Sequence, residues 1–153
     1  MPAATDTLLA RMEQFPTRVT RLVENESLDA LRRAGANGSW GAVEILAYLR
    51  DLEFATTNQV DEILDEDVPQ LTEIDEDLVA IERNYHAQDP FDSLAGFRAA
   101  RSELVKQLRQ LPPASWQRTA HHPTLGTITL LDLIEHHDER DNAQLKALKD
   151  VLL

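Results

Sequence analysis

Cysteine is absent from this 153-residue sequence, which removes disulfides, thiolate metal sites and cysteine nucleophiles. Basic side chains are scarce: 15 Lys and Arg stand against 27 Asp and Glu, a formal net charge of −12. With no basic excess to release counterions, phosphate-held nucleic-acid binding is disfavoured, and so is docking on anionic lipid. No apolar run approaches the roughly 18 residues a membrane-spanning helix requires. The amino terminus lacks a positively charged segment followed by an apolar core, so no signal peptide is read. Glycine occurs only five times, with no phosphate-binding loop, no dinucleotide fingerprint and no serine in a nucleophile elbow. Phosphoryl transfer and serine hydrolysis are disfavoured accordingly. One cytoplasmic domain over residues 1–153 is the expectation.

The acidity is local. Between Arg50 and Arg83 there is no Lys or Arg, yet twelve acids lie there, from Asp51 and Glu53 to Asp77 and Glu82. Without them the chain has fifteen acids and fifteen bases, so this stretch carries the whole net charge. It reads as a solvated helix end and loop, or as a cation-attracting rim beside a site. No EF-hand loop is present.

Helical periodicity dominates what remains. Leu8, Met12, Phe15, Val19, Leu22 and Val23 form one stripe, which Pro16 is expected to kink or restart near Phe15. Asn25 to Gly38 reads as a connection, with Ser39 as the N-cap of a second helix opening at Trp40. Ile45, Leu49, Leu52, Val60 and Ile63 are in phase along it, and it ends around Leu64. Residues 65–90 are acidic and weakly periodic, with a short helix expected around 75–85. A third long helix follows Asp89-Pro90, capped by Asp92 or Ser93. Its stripe of Leu94, Phe97, Arg101, Leu104, Leu108 and Leu111 stops at Pro112-Pro113. A fourth starts near Thr129, where Thr129 and Asp132 resemble a capping box, and runs to the chain end. No segment alternates long enough to predict a sheet, Thr127 to Thr129 coming nearest. Four amphipathic helices with one long acidic connection between the second and third predict an all-α four-helix bundle.

The fourth helix carries a polar break. His137, Asp141 and Gln144 fall in the middle of the stripe made by Leu130, Leu133, Ile134, Leu148 and Val151. Burying them costs several kcal/mol unless partners are supplied. His137 and Asp141, one turn apart, are able to share a divalent metal. Equally, they can bond each other and a facing residue in a dry polar cluster. His121, His122 and His136 read as loop or surface residues, His86 as a residue without a paired ligand, and Trp40 and Trp116 as core anchors. Glu44 and Asp51 read as helix-surface charges flanking Tyr48 by one turn.

The proline-bearing first helix, the run Trp40-Gly-Ala-Val-Glu44-Ile-Leu-Ala-Tyr48-Leu-Arg-Asp51-Leu-Glu53, Trp116, the loop His122-Pro123-Thr-Leu-Gly126 and the final His137-Asp138-Glu-Arg-Asp141-Asn-Ala-Gln144 occur in this order. Together they resemble the DinB-like (YfiT-like) metalloenzyme superfamily of four-helix bundles over nearly the whole chain. The resemblance implies three histidine ligands for a divalent metal: one eight residues after the tryptophan and two in a His-x-x-x-His on the last helix. Here those positions are Tyr48, His137 and Asp141, so only His137 keeps the expected type. A phenol ligates well only when deprotonated, although a cation such as ferric iron accepts phenolate.

Two functions follow from that departure. One is a stress-associated or small-molecule-binding bundle with a polar pocket at Tyr48, His137 and Asp141 and weakened or lost metal binding. The other is a hydrolase or thiol-group transferase using zinc, nickel, iron or manganese, with His137 and Asp141 as ligands. A third, structural reading leaves the cluster as remnant core polarity. Related bundles pair through helix faces, so the resemblance also implies a homodimer.

Overall fold

The computed structural model describes residues 3–153. Six α-helices and one hairpin follow in the order α1 (Ala3–Val23), α2 (Leu28–Arg32), α3 (Ala42–Asp65), α4 (Glu76–Glu82), α5 (Pro90–Arg109), β1 (Thr119–His122), β2 (Gly126–Thr129) and α6 (Leu130–Leu152). The four long helices α1, α3, α5 and α6 form a closed ring in which α3 packs on α5 and α6, and α1 on α5 and α6.

Helix direction can be read from the two halves of the core. One half gathers Leu8 and Met12 of α1, Val60 and Ile63 of α3, Leu104 and Leu108 of α5, and Leu130 and Leu133 of α6. The other gathers Phe15 and Val19, Leu46 and Leu49, Leu94 and Phe97, and Leu145 and Leu148. Sequence number therefore rises from the first half to the second in α1 and α6, and falls back in α3 and α5. The helices run up, down, down, up. Because α3 and α5 are parallel, the chain between them must travel back along the bundle, which is why that connection is long.

The connection is tied down along its course. Leu71 N–H donates to the His121 carbonyl (2.8 Å) and His121 N–H to the Pro69 carbonyl (2.9 Å), so residues 69–71 lie parallel to β1. Gln59 on α3 donates its amide to the Thr72 carbonyl (2.6 Å). Farther on, the buried Tyr85 phenol donates to Asp51 Oδ2 (2.7 Å), whose carboxylate also meets Arg50 and Arg83.

Several expected details change. α1 passes through Pro16 as one helix. Residues 25–38 contain α2, whose N-cap is Ser27. Helix α3 starts at Ala42, not Trp40, and its N-cap is Gly41 rather than Ser39; the Glu44 carboxylate accepts the Gly41 N–H (3.1 Å). A Cβ at Gly41 would collide with the Arg33 carbonyl, so the close approach of α2 fixes glycine there. Asp89, not Asp92 or Ser93, caps α5, with Pro90 at the first helical position. The Thr129–Asp132 capping box at α6 forms as expected, with bonds of 3.1 and 3.0 Å. Residues 119–129 form a hairpin that the sequence did not reveal, because four-residue strands are too short to establish a period of two.

Candidate functional site

Midway between the two apolar halves, all four long helices meet in one polar layer. Arg101 of α5 stands at its centre and is 1% exposed. All five of its N–H donors are spent. Nε and Nη2 donate to the two oxygens of Glu53 on α3 (2.8 and 3.0 Å). Nη2 and Nη1 donate to the two oxygens of Asp141 on α6 (2.8 and 2.9 Å). The second Nη1 donor reaches the Met12 carbonyl of α1 (2.9 Å). That carbonyl is free because residue 16, four positions on, is a proline without an N–H. Phe15 and Phe97 flank the guanidinium, their ring centroids 5.4 and 5.2 Å from Cζ.

His137 completes the layer. Its Nε2 donates to Glu53 Oε1 (2.8 Å), and Nδ1 faces Thr56 Oγ1 (3.5 Å) and Arg140 Nη2 (3.4 Å). Burial works against the Glu53 carboxylate, but His137 and Arg101 outweigh it and hold its pKa at about 2. Burial pushes Asp141 upward, with Arg101 pulling it back. The same two carboxylates hold Arg101 charged despite its burial.

The expected site residues therefore part company. His137 and Asp141 converge on one centre, but the residue facing them is Arg101, bonded with Glu53. Tyr48 lies elsewhere: five residues before Glu53 on α3, it points to a different face. Its ring meets Trp40 edge-on at 5.4 Å, and it lines a separate cavity of about 220 Å³ with Thr56, Gln59, Glu73, His136 and Arg140. Burial, followed by Glu76, raises the phenol pKa. Arg140 joins the two places, since its guanidinium reaches from the cavity to Thr56 and His137.

Other readings also change. Asp51 is buried against Tyr85 rather than standing on the surface. His122 is buried in β1: its Nδ1 accepts the Thr124 and Leu125 N–H groups, and Nε2 lies 2.9 Å from Glu73. His121 remains exposed, while His136 is half-buried at the cavity, its pKa lowered first by burial and then by Arg140. Trp116 is a core residue, and Trp40 is half-buried against Tyr48 and Tyr85. Three side chains of these two places, Arg101, Glu53 and Arg140, do not stand out in the sequence as site residues. Arg101 was visible as a charge in phase with Leu94, Phe97 and Leu104, whereas Glu53 and Arg140 carried no comparable signal.

A divalent metal does not fit the central donor set. All four oxygens of Glu53 and Asp141 accept from Arg101, His137 Nε2 donates to Glu53, and a metal between them would lie against a guanidinium of like charge. Among the described residues no group of three or more His, Asp or Glu side chains is arranged to hold a metal ion.

The fold defines the class: a four-helix bundle in which two adjacent pairs of helices, α3 with α5 and α1 with α6, run parallel. Among solved structures, the chain is similar to YfiT from Bacillus subtilis, described as a probable metal-dependent hydrolase with an unusual four-helix bundle topology; the TM-score is 0.83 at 23% identity, over 97% of this chain and 87% of that one. The YfiT-type bundle implied by the sequence is thus the fold observed. No protein-family model matches the sequence, and no curated protein matches it. No helix among the described residues is long and apolar enough to cross a membrane.

Proposed function

We propose that this chain is a small-molecule-binding bundle of the YfiT fold in which a fixed guanidinium performs the structural task of a central cation. The observation that carries this reading is Arg101, whose five donors satisfy Glu53, Asp141 and the Met12 carbonyl. Such a centre ties four helices together and leaves no carboxylate oxygen without a hydrogen bond. Ligand binding then falls to the neighbouring cavity, where Tyr48 and Arg140 present polar groups on a wall that Leu52 and Ala55 make partly apolar. Tyr48, His137 and Asp141 are thereby divided between a binding wall and a structural centre.

Elemental analysis of untagged protein purified without chelator, followed by titration with zinc, nickel, manganese and iron, tests the reading. The expected result is no stoichiometric metal and no metal-dependent rise in melting temperature. Stoichiometric metal that disappears in His137→Ala would overturn it in favour of a metal-dependent hydrolase or thiol-group transferase. We further propose a cytoplasmic homodimer assembled through helix faces; light scattering should give twice the chain mass, and a monomer mass at micromolar concentration would refute the dimer.

A further inference from the structure

Arg140 is a cation in search of an anion. Its Nε is buried without a hydrogen-bond partner. Its Nη2 makes only two long contacts, 3.4 Å each, to the Thr56 hydroxyl and His137 Nδ1. Among the described residues it forms no ion pair with a carboxylate, although twelve acids populate residues 51–82. A guanidinium desolvated to this degree is costly unless an anion completes it, and burial indeed lowers its pKa. The group borders the cavity beside Tyr48, which Glu73 and Glu76 also line. Glu73 lies against His122 and Thr124, while Glu76 is exposed at the start of α4.

The cavity therefore gathers one guanidinium and two carboxylates around the Tyr48 phenol. A simple dianion such as phosphate would meet repulsion from Glu73 and Glu76, and a simple amine would leave Arg140 unpaired. The volume, about 220 Å³, is below the roughly 300–1,000 Å³ typical of sites for drug-sized ligands. The geometry points to a small zwitterion, a free amino acid or similar aminocarboxylate, bound with its carboxylate on Arg140 and its ammonium toward Glu73 and Glu76. A guanidinium offers paired N–H donors that match a carboxylate, and Arg140 is the cavity's one arginine among the described residues. Thr56 and the Tyr48 phenol supply further polar contacts.

This inference rests on the metal-free binding reading and deepens it by naming the ligand class. Calorimetric titration of the full chain in buffer containing EDTA, with a panel of L-amino acids and with acetate and methylammonium as fragments, tests it. At least one small amino acid should bind with submillimolar to millimolar affinity. Acetate or methylammonium alone should bind at least tenfold more weakly. Arg140→Gln should weaken binding at least tenfold, and Glu76→Gln severalfold. In the unsubstituted protein, the Arg140 Nε–H resonance should shift on amino-acid addition, a readout independent of whether the variants fold. Absence of binding by every amino acid, undiminished binding by Arg140→Gln, or acetate binding as tightly as any amino acid would overturn the proposal. Binding that appears only when a divalent metal replaces the EDTA would instead overturn the metal-free reading on which it stands; the metal titration without amino acid distinguishes the two failures.

Discussion

At the residue scale the molecule is organised by one arginine. Replacing Arg101 with methionine would retain much of the packing against Phe15 and Phe97 but strand Glu53 and Asp141 in the core. Breaking a buried pair in this way costs about 3–5 kcal/mol, so Arg101→Met should unfold at markedly lower urea. Arg101→Lys should not restore stability, because one ammonium cannot supply two forked bonds and reach the Met12 carbonyl. Recovery to the unsubstituted midpoint would refute the five-donor arrangement. The same centre sets an acid limit. Glu53 has its pKa held at about 2 against an ordinary 4.5. A depressed carboxylate contributes stability above the unfolded pKa and loses it as pH falls toward the folded one, a contribution of about 3 kcal/mol. Asp141, shifted upward, gains protons earlier in the fold than in the unfolded chain and offsets part of that loss. Urea midpoints measured from pH 5 to pH 2 should fall, and Glu53→Gln should start lower and show a shallower fall. The sequence exposed one half of this centre: His137 and Asp141 interrupt an apolar stripe and demand partners. It did not identify the partner, because an arginine in an apolar stripe is equally compatible with a stem lying along the core and a head in water.

At the element scale, long periodic helices were legible and their ends less so. Glycine at 41 acts through the nearby Arg33 carbonyl and the Glu44 carboxylate, neither of which makes Gly41 stand out beside Ser39. The hairpin, likewise, depends on pairing between strands too short to show a pattern and on a connection docked beside them. The α6 start was readable because a capping box is local chemistry. Thr129 Oγ1 accepts the Asp132 N–H while the Asp132 carboxylate accepts the Thr129 N–H. Thr129→Ala should therefore cost about 1 kcal/mol, measured as a lower urea midpoint with an unchanged slope. Asp132→Ala should cost a similar amount, and the double variant less than the sum, since both remove one reciprocal unit. Strict additivity would argue against the box. Parallel α3 and α5 make the position of this helix start consequential: α6 must enter from the hairpin end to bring His137 and Asp141 level with Arg101.

At the scale of the whole molecule, the charge of −12 resolves into an inner and an outer part. Two of the twelve acids of residues 51–82 are interior and paired with arginines outside that stretch, Asp51 with Arg50 and Arg83 and Glu53 with Arg101. The other acids line the outer end of α3 and the return connection, where no lysine or arginine is interleaved. Compact folding holds these like charges close together, and salt screens exposed charges over a Debye length of about 10 Å at 0.1 M. Buried pairs around Arg101 are screened much less. The balance predicts that melting temperature rises as sodium chloride increases from low to moderate concentration, opposite to a protein whose stability depends on surface ion pairs. Asp67→Lys combined with Glu82→Lys, two exposed positions along the connection, should relieve the repulsion directly. A gain of about 1 kcal/mol in low salt corresponds to roughly 2–4 °C for a domain of this size. The double variant should also respond less steeply to added salt, because the substitutions have removed part of what screening relieves. A parallel salt response in both proteins would locate the repulsion elsewhere, whereas a melting temperature that falls with salt would show that exposed pairs such as Arg11–Asp138 and Arg109–Glu13 outweigh the crowded acids.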